Sequence, residues 1–464
     1  MQYISTRGLA PPLQFDDVLL EGLASDGGLY VPDKWPQLSE SEFAKLKNLS
    51  YPDMALEIMY PYIGDVIPRE ILKDILFEAY ANFSNSQIAP IKRIDDSTWL
   101  LELFHGPTLA FKDYALQVVG KLFNYVLEKK KKTVTIIGAT SGDTGSAAIE
   151  ACKNKDAINL FMMHPKGRVS EVQRRQMTTV ESSNIYNIAI EGTFDDCQDM
   201  VKLLFSDQEM REKYNLSAVN SINWARILSQ IVYYFWAGIS LHSSNKKLKF
   251  IVPTGNFGNI FAGYAAHKMG LPIHKLLVAS NENNILTRYL NTGNMTALDV
   301  KSTLAPSMDI QISSNFERLI FDVYNQNGTN VREAMNAFRK TNSIRFSEES
   351  WEIICNLFDG FSASDQLIKE TILKFYETKG ELIDPHTATG IAASLVNENN
   401  TDTNTVCLAT AHPAKFPNAI KDSVGFSPEV PKQLKRIFQK EEKFTVLPND
   451  FGEVKNFIYK NNNR

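Results

Sequence analysis

The rhythm of apolar positions changes along the chain, and the changes divide it. From about residue 133, short continuous apolar runs alternate with segments of helical period. TVTII (133–137), NLFMMH (159–164), IYNIAI (185–190), LSAVN (216–220), KLKFIVP (247–253) and KLLVAS (275–280) read as strands covered on both faces. Between them the pattern predicts helices over SAAIEACKN, Glu171–Met177, Asp195–Phe205 (capped by Thr193), a long segment from Trp224, and IFAGYAAHKMG. Strands alternating with helices predict an α/β fold with parallel sheets. The first 95 residues are uneven: DGG and PDKWP turns, then helical segments over Tyr51–Tyr62 and Arg69–Asn82. Residues 330–380 read as mainly helical, 397–404 (NENNTDTN) as an exposed loop, and TVCLATAHP (405–413) as a returning strand.

One position breaks the pattern. From Lys112 the apolar residues Ala115, Leu116, Val119, Leu122 and Phe123 mark one helical face, and Lys112 lies on that face. A lysine drawn out of water loses its preference for the charged state and becomes a nucleophilic amine, the form that makes Schiff bases. A lone lysine in such a place usually snorkels, so its neighbours in the fold must decide.

Two loops supply those neighbours. GATSGDTG (138–145) and PTGNFGN (253–259) each follow an apolar strand and open a helix. Each therefore offers backbone N–H groups and a positive helix end to an anion. Gly142, Gly145, Gly255 and Gly258 suit the positive φ angles and close approach of an anion cradle, and Thr140, Ser141 and Thr144 add hydroxyls. Neither loop is followed by GK[ST] and neither is GxGxxG, so a dinucleotide is not expected. Two such loops and a face-buried lysine suit a phosphate-bearing carbonyl cofactor, pyridoxal phosphate (PLP).

Bulk properties narrow the class. At 464 residues, 44% hydrophobic and 22% charged, the chain is too long for one ordinary core and reads as a soluble protein of two or three domains. A net charge of −4 with no basic stripe gives no footprint for nucleic acid. The opening residues lack an apolar core, and the apolar helix near Ile227–Leu241 is too short to span a bilayer, so a cytoplasmic location without membrane partners is expected. Four scattered cysteines and seven histidines show no metal-ligand spacing.

The motifs FHGPTLAFKD, GATSGDTG, NSINWARILSQ (220–230), PTGNFGN, APSMDIQISSNFERL (305–319) and ATAHPAKF (409–416), with YISTRG and ASDGGLYVP near the N-terminus, resemble the threonine synthase family in its longer bacterial and fungal form. The resemblance covers nearly the whole chain. It implies PLP fold type II (tryptophan synthase β-like), with two open parallel or mixed sheets flanked by helices and an added N-terminal segment. The expected organisation is 1–95 as that segment, 133–244 as a small α/β domain, and 96–132 with 245–464 as a large PLP-binding domain. It implies conversion of O-phospho-L-homoserine and water to L-threonine and phosphate. Residue by residue it makes Lys112 the Schiff-base lysine and general base, Gly255, Asn256, Phe257, Gly258 and Asn259 the cofactor-phosphate cradle, and Thr410 the partner of the pyridine nitrogen. Thr140, Ser141, Gly142, Asp143 and Thr144 are implied to meet the substrate, with Asp143 expected to point outward and brace the loop. Arg226 and Lys415, ahead of Arg168 and His105, are candidates for the substrate phosphate. His386 and His412 are read as fixing loops or handling protons. A monomer or weak homodimer is expected. A phospho-lyase yielding a keto acid, a hydroxy-amino-acid dehydratase and a non-catalytic relative are the competing readings.

Overall fold

In the computed structural model, which describes residues 1–218, 220–242, 246–396 and 402–462, the alternating segments build two sheets. The smaller runs in the order Thr445–Pro448, Ile185–Glu191, Ile158–Pro165, Val134–Ala139, Leu216–Ser217, with every neighbouring pair parallel. The larger runs Phe358–Ser362, Ile273–Ser280, Lys247–Pro253, Thr403–Ala409, Thr98–Glu102, Ile91–Arg93, and only its last pair is antiparallel. Central strands covered on both faces must be apolar throughout, and Ile158–Pro165 is buried at every position.

The helices stand close to the periodic segments, among them Tyr51–Ile63, Arg69–Tyr80, Glu171–Thr178 and Phe194–Ser206. Thr193 caps the last of these in a capping box with Asp196. Trp224–Leu241 is buried on almost every side, as a helix apolar all round must be. The N-terminal segment adds an antiparallel pair, Tyr3–Ser5 with Tyr30–Pro32. It is pinned by a buried ion pair of Arg7 with Glu317 at 2.9 Å, whose other carboxylate oxygen accepts the Thr6 hydroxyl at 2.6 Å.

Three readings of the pattern need correction or qualification. The region 330–380 contains the edge strand Phe358–Ser362 as well as helices. FDGFS has too few apolar residues to show a period, and its backbone pairing with Leu276–Ser280 makes it a strand. The C-terminal residues do not all join the larger sheet: Thr445–Pro448 pairs with Ile188–Glu191 in the smaller one, and helix Phe451–Asn461 packs there too. Of the expected loop 397–404, residues 397–401 lie outside the described ones, whereas Thr403 and Asn404 already belong to a strand and are buried.

The two sheets meet where helix Lys112–Lys130 lies against helix Asp143–Cys152. The contact is close because Gly120 has no side chain: a Cβ there would sit 2.5 Å from the Ala151 carbonyl oxygen. Gly120→Ala should therefore destabilise the protein by about 1–3 kcal/mol. Gly390, inside helix Pro385–Leu395, has its nearest neighbour 3.6 Å from a built Cβ. Gly390→Ala should gain about 0.5–1 kcal/mol from the helix preference of alanine. Urea unfolding of the two variants beside the parent checks both signs.

Candidate active site

Strands Val134–Ala139, Lys247–Pro253 and Thr403–Ala409 are parallel within their sheets and end in the two glycine-rich loops and the segment after Thr410. Open α/β sheets place their sites beyond such strand ends. Lys112 opens its helix and is buried, with its Nζ 3.4 Å from Asp143 Oδ2. Lys415, fully buried in the short turn Pro413–Lys415, donates to Asp143 Oδ1 at 2.8 Å and to the Thr108 carbonyl oxygen at 2.6 Å. Gln173 Nε2 donates to the same Oδ1 at 2.8 Å. Asp143 thus points inward, contrary to the outward position expected from sequence. It receives two ammonium groups brought to it by elements remote in sequence.

Charge explains the titration of these groups. Burial, opposed by Asp143 and reinforced by Lys415 and Arg226, lowers the proton affinity of Lys112 below that of an ordinary lysine. Burial pushes the Asp143 carboxyl upward, but Lys415 and then Lys112 outweigh it and hold the group far below the usual carboxylate range. Asp113 is also buried, which pushes it up to about 6 although it accepts the backbone N–H and hydroxyl of Thr108 at 2.8 and 2.7 Å. Arg226 is 3% exposed, and its Nε and Nη1 have no hydrogen-bond partner among the described residues. Burial pushes it down to about 10.

The loops are held in place by their own polar groups. Thr140 Oγ1 accepts the N–H groups of Gly142 and Gly145, each at 2.9 Å. Ser141 and Thr144 are half-buried beside it. Gly142 has φ of +146°, and a Cβ there would strike the Gln173 side chain. In the second loop the left-handed residue is Phe257, with φ of +63°, and not Gly255 or Gly258 as the glycine pattern suggested. Gly255 serves by size: a Cβ would lie 2.9 Å from the Ser307 carbonyl oxygen. Asn315 fixes the loop by donating from Nδ2 to the Asn256 carbonyl at 3.0 Å. Helix Gly258–Lys268 starts without a side-chain cap, against the foot of the helix that carries Arg226. Asn259 accepts the Tyr233 hydroxyl on Oδ1 at 2.6 Å, while its buried Nδ2 has no partner among the described residues. Thr410 is buried and its carbonyl accepts the Phe111 N–H at 2.8 Å, which ties it to the residue before Lys112.

The remaining candidates separate. His386 accepts the Ser307 N–H on Nε2 at 3.1 Å and faces Asp384 at 2.8 Å through Nδ1, so it braces the turn Pro306–Met308. His412 accepts the Ala414 N–H on Nδ1 at 3.1 Å, and burial, with His105 adding, pushes it down to about 4. His105 pairs with Glu102 at 2.7 Å, and Arg168 is exposed. Thr108, Asp113, Gln173 and Asn315 were not singled out from sequence, although the first two lie inside the FHGPTLAFKD motif.

Comparison with known proteins defines the class. Residues 86–344 match the family of pyridoxal-phosphate dependent enzymes, and the chain is a PLP-dependent enzyme of fold type II. Residues 2–80 match the threonine synthase N terminus and 387–458 the threonine synthase C-terminal region. The chain is 50% identical to threonine synthase of Pseudomonas aeruginosa over 100% of its own length and 99% of that protein. It is 41% identical to that of Saccharomyces cerevisiae, covering 98% and 97%. The crystal structure of PLP-bound threonine synthase from Brucella melitensis superposes with a TM-score of 0.97 at 44% identity, covering 100% of both chains. The chain belongs to the threonine synthase family.

A buried guanidinium whose Nε and Nη1 have no partner among the described residues is a cost to the fold. Arg226→Met should raise the stability of the cofactor-free protein by about 1–4 kcal/mol, as replacement of buried charge by hydrophobic volume can do, while weakening its binding of inorganic phosphate. Thermal unfolding with and without added phosphate reads both effects.

Proposed function

We propose that this protein converts O-phospho-L-homoserine and water to L-threonine and phosphate, by γ-elimination followed by β-addition of water, as the last step of threonine biosynthesis. The observation that carries the reading is the charge of the cleft. Lys112, Lys415 and Arg226 are buried, Lys415 and Arg226 each lie within electrostatic reach of Lys112, and the carboxylate in direct contact with Lys112 and Lys415 is Asp143. Buried positive charge of this kind calls for anionic ligands.

The residues fit PLP. Gly255 leaves a cradle that a Cβ would fill, and the uncapped start of helix Gly258–Lys268 with the free Nδ2 of Asn259 provides donors for a phosphate. Gly255–Asn259 would hold that phosphate, Thr410 the pyridine nitrogen and Lys112 the aldehyde carbon. When bound, PLP supplies an electron sink for the carbanions left by deprotonation. Lys112 would take the proton from the substrate's Cα, a role suited to an amine whose proton affinity burial has lowered. Ser141 and Thr144 offer donors to the substrate carboxylate at the opening of helix Asp143–Cys152, with Gly142, its N–H held by Thr140, leaving room for it to approach. Arg226 and Lys415 take up the charge of the phosphate that leaves Cγ. The chain would work in the cytoplasm as a monomer or weak homodimer, its four cysteines being free thiols.

The test joins a spectrum to a product assay. Purified protein should show a visible band of lysine-bound cofactor that is lost in Lys112→Ala. Incubation with O-phospho-L-homoserine should yield threonine in step with phosphate, and activity in Lys112→Ala should fall by at least about a thousandfold, the scale for losing a group that is both nucleophile and base. Phosphate with a keto acid and no threonine would assign a phospho-lyase instead.

A further inference from the structure

We propose that Asp143 is a positioning residue: a carboxylate shared across the two lobes that sets the protonation of Lys112 and is released to it when an anion draws Lys415 away. The idea rests on the reading above that Lys112 carries the cofactor. Asp143 belongs to the small-sheet lobe, at the start of helix Asp143–Cys152, whereas Lys112 and Lys415 come from the large-sheet side of the cleft. Its hold on the two is unequal, 2.8 Å to Lys415 and 3.4 Å to Lys112.

The inequality has a chemical use. With Lys415 nearest, part of the carboxylate's charge is offset locally, and Lys112 also feels burial and the cations Lys415 and Arg226. A phosphate that recruits Lys415 leaves Asp143 facing Lys112 alone. The amine then gains proton affinity at the stage when it must accept the Cα proton. Gln173, bonded to the same oxygen as Lys415, keeps the carboxylate oriented through the exchange. The charged groups facing the pair are accounted for: Arg226 acts on Lys112, and Asp113 and His412 lie within electrostatic reach of Lys415.

The arrangement predicts opposite shifts. In the holoenzyme the pH midpoint of the visible band reports the proton on the Lys112 nitrogen. Asp143→Asn removes a negative charge, so the midpoint should fall by about one pH unit or more, the usual scale for an opposite charge at this range. Asp143→Glu should restore most of it. Lys415→Met removes a competing cation and frees the carboxylate, so its midpoint should rise. Inorganic phosphate should raise the midpoint more in the parent protein than in Asp143→Asn. If Asp143→Asn fails to fold, Asp143→Ser is read in its place and its midpoint should likewise fall, because Lys415→Met also raises the midpoint by loss of its direct repulsion of Lys112. Midpoints that do not move, or that move together in the two variants, would overturn the proposal. Absence of any visible band in the parent protein would instead overturn the reading of Lys112 on which it stands.

Discussion

Lys112 is kept out of water without being locked to a counter-ion, and both lobes of this protein contribute to that balance. Lys112 stands at the first position of its helix, where the helix dipole opposes a positive charge. Burial opposes it further, and Lys415 and Arg226 add repulsion. Asp143 alone works the other way, from a distance at the long end of an ion pair. The packing of helix Lys112–Lys130 onto helix Asp143–Cys152, made close by Gly120, brings that carboxylate within reach.

The backbone around the site is strained at two apolar residues. Leu109 and Phe257 both have left-handed φ angles, of +62° and +63°, in the segments just before Lys112 and within the second loop. Such conformations cost about 1–3 kcal/mol each and persist where surrounding bonds determine them. The Leu109 carbonyl accepts the His412 N–H at 3.0 Å, and Asn315 fixes Asn256 beside Phe257. The first of these bonds, with the Phe111 N–H donated to the Thr410 carbonyl, ties the segment before Lys112 to the chain that follows strand Thr403–Ala409.

Much of this was legible in the chain. Helical period placed Lys112 on a buried face, apolar runs marked the central strands of both sheets, and strand-loop-helix grammar found both glycine-rich turns. The family resemblance rested on motifs long enough to stand without geometry. What stayed hidden depended on partners distant in sequence. The inward turn of Asp143 follows from Lys415, which belongs to a different sheet's strand end. The left-handed residue of the second loop is a phenylalanine between Asn256 and Gly258, and its ring packs against Phe316 and Phe358. No local rule favours that choice. Phe358–Ser362 and Thr445–Pro448 are too short for periodicity to separate strand from turn.

The crossing of the C-terminal residues to the smaller sheet bears on how the chain is made. Strand Ile185–Glu191 is synthesised long before its outer neighbour Thr445–Pro448. Until then the small sheet presents an unpaired, largely apolar edge, the kind of surface that invites association with other chains. Pairing across so long a stretch of sequence is also slow. Emergence of Thr445–Pro448, rather than completion of the local βα units, is therefore the moment at which this lobe gains its outer strand.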